Sequence, residues 1–167
     1  VKGEVYAAGH AETGNDLPVL LSTTKAERVD GGYRFTGRKS FGSLAPVWTY
    51  LGLHGMDTSD PANPKVVHAF LDRRATNYRI EETWDTLGMR ATQSQDTILE
   101  QAFVPDDLVA LVCPAGFAGA GVAVLVGVGV AVGVGGAVGL GVGVTGGVGV
   151  GVGVAVGVGV GVTVGVG

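Results

Sequence analysis

The feature that most constrains this chain is the segregation of its charge. Every Asp, Glu, Lys and Arg lies between Lys2 and Asp107, and Leu108 to Gly167 carries none. From Gly119 onward the chain is almost wholly Gly, Val and Ala, much of it in strict V-G alternation. A helix there is opposed by glycine, which costs about 1 kcal/mol per residue relative to alanine. A strand would bury valine on one face and leave the other bare. The uncharged length is formally enough for a membrane span, but aromatic belts and flanking Lys or Arg are missing. The expectation is a low-complexity Gly/Val tail over 113–167, disordered or a poorly defined helix, with no membrane partner.

The function-bearing piece is therefore 1–112. The net charge of −4 belongs wholly to the charged part. Its basic residues are scattered, so there is no footprint for a nucleic-acid backbone. A single cysteine, Cys113, cannot form an internal disulfide, which points to a reducing compartment or to indifference to redox; the expected location is cytoplasmic.

Gly31–Ser43, G-G-Y-R-F-T-G-R-K-S-F-G-S, organises this piece. Asp30-Gly31-Gly32 is a turn signal, because glycine reaches positive φ without a Cβ clash. Val19–Val29 and Tyr33–Thr36 read as the two strands of a hairpin, with Gly37 breaking the second. Val47–Met56, Lys65–Leu71, Tyr78–Thr83 and Thr97–Val104 read as further strands, the last stopped by Pro105. Asp57–Pro64 and Leu87–Asp96 read as loops, and Val1–Asp16 ends in a loop-like run, G-H-A-E-T-G-N-D. Five or six strands without an amphipathic helix predict a mainly β fold, an antiparallel sandwich or barrel.

Several motif readings fail on chemistry. His10-Ala11-Glu12 matches the H-x-E half of a zinc deaminase signature, but the two cysteines that complete the zinc site are missing. His54 and His68 lack ligand spacing and read as strand histidines, so no metal is expected. Arg38 interrupts a P-loop-like run at Gly32–Ser40. A G-x-G-x-x-G at Gly141–Gly146 is expected by chance in so glycine-rich a tract, and no acidic residue follows to hold a ribose. No G-x-S-x-G elbow is present.

Three segments remain: Tyr6–Asp16 (Y-A-A-G-H-A-E-T-G-N-D), Gly37–Ser43, and Trp84–Asp96 (W-D-T-L-G-M-R-A-T-Q-S-Q-D), the last leading into F-V-P-D-D. At these residues the chain resembles the central β-domain of the acyl-CoA dehydrogenase family, from about Glu4 to Asp107. The resemblance implies a domain set between two helical domains, with one face toward FAD. It implies that Ala8, Gly9, His10 and Gly14 line the cofactor, Ala8 and Gly9 through backbone groups. Phe41 and Gly42 would lie on the ring, with the Ser43 hydroxyl toward its N5/O4 side. Asn15 and Arg90 would touch substrate, Arg90 being equally suited to anchoring its own loop. Trp84 reads as core.

The first loop departs from the family's T-E-P-x-x-G-S-D: Gly9 stands where a flavin-touching threonine is usual. It looks more like a branch that also holds flavin-dependent monooxygenases. The resemblance thus implies a fragment of an FAD-dependent oxidoreductase acting on acyl-CoA or another small molecule, from a homo-oligomeric parent. The alternatives are a monooxygenase fragment, or a non-catalytic β-domain on an apolar tail. In the family the catalytic carboxylate comes from a C-terminal helical bundle, and no carboxylate side chain follows Asp107, so no catalytic residue is assigned. The chain alone is expected to be inactive and to bind FAD weakly.

Overall fold

The computed structural model describes residues 3–15 and 19–117. The Gly/Val tail expectation falls, from residue 118 onward, outside the described residues. Eight strands form one sheet: β1 Tyr6–Ala8, β2 Lys25–Val29, β3 Gly32–Gly42, β4 Tyr50–Asp57, β5 Lys65–Asp72, β6 Tyr78–Glu81, β7 Gln95–Pro105 and β8 Val109–Pro114. Their order is β6-β7-β3-β2-β4-β5-β8, with β1 on β4. The mainly β expectation holds.

The sheet curls on itself. Leu99, Ala102 and Val104 of β7 share one core with Leu53 of β4 and with Val67, Ala69 and Leu71 of β5, although β5 and β7 are not neighbours in the sheet. Phe35, Leu51 and Trp48 complete it. Each fully buried Leu or Phe of this set contributes about 1.5–3 kcal/mol. A smaller cluster centres on Val66 and Cys113, whose thiol is pushed up by burial.

The sequence expectations need four corrections. Residues 19–24 are not strand: the Ser22 hydroxyl and the Thr23 and Thr24 amides are engaged by the Glu12 carboxylate, and β2 starts only at Lys25. Gly37 does not break β3. Its missing Cβ makes room for Thr24, whose Oγ1 lies 2.6 Å from where a Cβ would stand, and the strand runs on to Gly42. β1 and β8 are additional strands. Pro105 ends β7, but a single 3₁₀ turn, Asp106–Leu108, sends the chain back as β8 along β5. Finally, the sheet is not wholly antiparallel, because β1 and β2 both run parallel to β4. The Asp30-Gly31 turn does join β2 to β3, with Gly31 at φ 74°.

Candidate functional site

The site begins at a fault in the ladder between β3 and β7. Lys39 pairs with Thr97 and Gly42 with Gln95, so Ser40 and Phe41 together face the single residue Asp96. Such a bulge bends its strand and re-aims side chains, and bulges are common beside active sites. Here it turns the Ser40 amide toward the first loop, where it donates to the Ala11 carbonyl at 2.9 Å. It also throws the Phe41 ring outward, 65% exposed, with the backbone at φ 58°. Asp96 holds this conformation. One oxygen accepts from the Phe41 amide at 3.3 Å, while the other is bound by the Arg38 guanidinium at 2.6–2.7 Å.

The segment 84–95 folds against the bulge. Phe41 meets Trp84 edge-on at 6.2 Å. Leu44 and Ala45 donate their amides to the carbonyls of Thr92 and Gln93 at 2.9 and 3.3 Å. Of the seven non-glycine residues with positive φ among the described residues, four lie here: Phe41, Leu44, Met89 and Gln93. Left-handed backbone is costly for these residue types and gathers at functional sites. Leu87 and Met89 stand exposed beside Phe41's partner Trp84. Ser43 Oγ contacts Ser94 Oγ at 2.9 Å, and Ser94 Oγ contacts Thr92 Oγ1 at 2.8 Å.

Behind the first loop lies a buried polar cluster. Lys39, fully enclosed, pairs with Glu12 at 2.5 Å and approaches His54 Nδ1 at 3.3 Å. Burial pushes the Lys39 ammonium down to about 8, against the pull of Glu12. Burial works to raise the Glu12 carboxyl, yet Lys39 and the hydrogen bonds from Lys39, Thr24 and Ser22 hold it well below the usual carboxylate range. The Leu21 carbonyl, 2.9 Å from His54 Nε2, can only accept, so the His54 proton sits on Nε2. The Val19 amide, 3.3 Å away, is then a contact without a lone pair to receive it. His10, His54 and His68 lie ring to ring, with centroids 5.3–6.4 Å apart. Burial, reinforced by the Lys39 charge, lowers them to about 4, 3 and 4, so they are neutral at pH 7. Among the described residues no group of three or more His, Cys, Asp or Glu is arranged to hold a metal ion.

The structure brings the two expected loops together. Ala8, Gly9 and His10 run into Ala11, which is bridged to Ser40 next to Phe41, Gly42 and Ser43. Gly9's amide is already spent on the Gly52 carbonyl at 2.7 Å, so it has no N–H to give a ligand. A Cβ on Gly9 would come within 3.0–3.3 Å of the Leu51 side chain, which leaves no place for a threonine without moving Leu51. Gly14 is a left-handed turn residue at φ 77° in open space. The Asn15 amide nitrogen donates to Glu12 Oε2 and to the Leu21 carbonyl, both at 2.8 Å, which ties it to the buried cluster. Arg90 is exposed and paired with Asp85 at 3.1 Å, anchoring its own loop. Trp84 is half-buried rather than core. Sequence reasoning missed Ser94, Thr92 and Asp96, which read only as a polar turn. It also missed the Glu12–Lys39 pair, because Glu12 drew attention as a zinc-site residue and Lys39 as a P-loop lysine.

The chain is similar to several known proteins. A pigment production hydroxylase of Rhodococcus erythropolis is 38% identical over 83 residues, 47% of this chain and 21% of the hydroxylase. A mitochondrial isovaleryl-CoA dehydrogenase of Solanum tuberosum is 30% identical over 128 residues, 75% of this chain and 30% of that enzyme. The chain's homologues include acyl-CoA dehydrogenases and flavin-dependent monooxygenases. XiaF from Streptomyces sp., solved in complex with FADH2 and glycerol, has the same fold, with a TM-score of 0.52 at 28% identity over 64% of this chain and 24% of XiaF. The chain thus spans less than a third of the length of the relatives it matches. No family model matches it. The relatives include both dehydrogenases and oxygenases, among them a resorcinol hydroxylase of Rhizobium sp. named as FADH2-dependent and a monooxygenase of Rhodococcus jostii named as flavin-dependent.

Proposed function

We propose that this domain supplies one wall of the flavin site of an FAD-dependent oxidoreductase that acts on a small organic substrate. The observation that carries the reading is the bulge over 39–42, which sets an exposed aromatic ring and the Ser43 hydroxyl beside the loop 8–11. A planar heterocycle with polar edges needs that combination of an apolar face and rim hydrogen-bonding groups. The residues fit such a group: Phe41 supplies apolar contact and excludes water from one face, and Ser43 addresses an edge. When bound, the flavin supplies the electron chemistry, and the protein's part is to orient and tune it.

This chain's own groups position but do not abstract protons. Among the described residues the carboxylates that border the wall are ion-paired: Glu12 to Lys39, Asp96 to Arg38 and Asp85 to Arg90. The dehydrogenase reading, α,β-oxidation of an acyl-CoA thioester, requires a carboxylate base from outside the domain. The monooxygenase reading is favoured by Gly9, where Leu51 closes the space that a flavin-touching threonine would need.

The test is an amide-shift titration of the purified chain with FAD. Shifts confined to residues 8–14, 41–44 and 92–95, reduced by Phe41→Ala, support the reading. Shifts elsewhere, or none at saturating FAD, overturn it.

A further inference from the structure

Glu12 is the anion of the buried cluster behind the first loop, and its carboxylate is full. Oε1 takes Lys39 Nζ, Ser22 Oγ, the Thr24 amide and Thr24 Oγ1; Oε2 takes the Thr23 amide and Asn15 Nδ2. A carboxylate offers about four lone-pair sites. The cluster therefore neutralises one cation, Lys39, and has no acceptor to spare for a second. The ionisable groups that meet there are His10 and Glu12 of the loop, Lys39 of β3, His54 of β4 and His68 of β5. Of the flanking elements, β1 brings only Tyr6, stacked on Tyr50, and β8 only the buried Cys113 thiol; residues 19–24 bring none.

The three imidazoles differ in their route to water. His54 and His68 are buried and face each other across the β4–β5 ladder, so neither reaches solvent while the sheet is closed. His10 is half-buried and stands on the loop. Its stretch of backbone is held by the Gly9 amide on the Gly52 carbonyl, at 2.7 Å, and by the Ser40 amide on the Ala11 carbonyl, at 2.9 Å. The second of these bonds is the bridge that sets the loop beside Phe41.

We propose that the cluster is an acid-operated release for this wall: a proton on His10 parts the Ala11–Ser40 bridge and swings His10 and Ala11 out to water, while Glu12 stays on Lys39 and the sheet stays folded. A buried charge without a partner is strongly unfavourable, and local movement is the least costly way to hydrate it. The sign follows from linkage. Burial, then the Lys39 charge, lowers His10 from 6.5 to about 4 in the closed form, so the open form binds the proton more tightly and acid favours opening. The release stands on the cluster alone; its bearing on a cofactor rests on the flavin reading above.

The experiment follows amide exchange of the purified chain between about pH 7.5 and 5, each rate corrected for its intrinsic value at that pH. Protection of the Ser40 amide is expected to fall about 30-fold across that range, as one proton with those two affinities requires. The fall is also expected to be indifferent to sub-denaturing urea, because the opening exposes little surface, whereas the amides of β4 and β5 respond to urea. His10→Phe keeps a ring in place and flattens the Ser40 dependence; His68→Leu leaves it intact. In the parent chain the His10 ring-proton shift titrates well below pH 6.5, a readout that needs no variant to fold. A Ser40 amide that follows urea like those of β4 and β5, a His10 midpoint near 6.5, or a dependence that survives His10→Phe overturns the inference. Saturating FAD is expected to slow Ser40 exchange at about pH 5; a pH dependence as described with no effect of FAD keeps the release and removes the flavin reading.

Discussion

Replacing His68 by leucine is expected to stabilise the domain and to blunt its sensitivity to acid. His68 lies at the centre of β5, opposite His54, with its ring stacked on that imidazole at 5.7 Å. It is 2% exposed, and neither ring nitrogen has a hydrogen-bond partner. It lines a cavity of about 10 Å³ with His10, Gly52, Leu53 and Ala69, at the lower edge of what one water needs. Leaving a buried polar group unpaired costs about 1–3 kcal/mol, which an apolar side chain of similar size recovers. In a domain of about a hundred residues each kcal/mol moves Tm by about 4–8 °C.

The pH dependence carries a separate sign. Burial, then the Lys39 charge, lowers the His68 pKa from 6.5 to about 4. Between those values the unfolded chain takes up a proton that the folded chain refuses. Stability is therefore intact above pH 6.5 and is lost as the pH falls toward 4. At about 1.4 kcal/mol per pH unit the loss assigned to His68 is about 3 kcal/mol. Urea denaturation of both proteins between about pH 7.5 and 4 measures both effects. A His68→Leu chain less stable at the upper pH would mean that the imidazole is hydrogen-bonded in solution. An unchanged acid slope would mean that it does not titrate as argued.

Lys39→Met leaves the Glu12 carboxylate buried without its cation and is expected to cost about 3–5 kcal/mol in the same urea assay. Phe41→Gly removes an exposed ring from a left-handed position, so stability should stay within about 1 kcal/mol while the FAD-induced amide shifts disappear. Gly55→Ala would set a Cβ 2.8–2.9 Å from the Phe35 ring and 3.0 Å from Ala26. It is expected to lower stability by about 1–3 kcal/mol, read as a lower urea midpoint.

What was legible in the sequence was local. The Asp30-Gly31 turn announced the β2–β3 hairpin because its conformation needs only adjacent residues. The apolar and aromatic run of β4 and the β-branched, then apolar run of β5 announced themselves by composition, as strands buried on both faces do. β1 was hidden because three residues of Y-A-A become strand only through a parallel partner far along the chain, Tyr50. β8 was hidden because Pro105 truly ends a strand, and nothing local says the chain returns after one turn. At the site, the Phe41–Ser43 triplet was visible as a residue type, whereas the hydroxyl contacts of Ser43 depend on Ser94 and Thr92 arriving from far along the chain. The Glu12–Lys39 pair was out of reach for the same reason: a buried ion pair has no signature in either partner's neighbourhood.

The extra residue in β3 also separates two kinds of evolutionary freedom. Before the fault, β3 pairs with β7 through Lys39 with one earlier shift between Phe35 and Thr36, and its inward residues Tyr33 and Phe35 belong to the core; past the fault, Phe41 owes nothing to that packing. Descendants of this domain can therefore exchange the aromatic at 41 for a different ring or an aliphatic and retune what leans against it, without repacking the interior. Deleting one residue between 39 and 42, by contrast, would restore the pleat, turn the wall toward the core and erase the site in a single step.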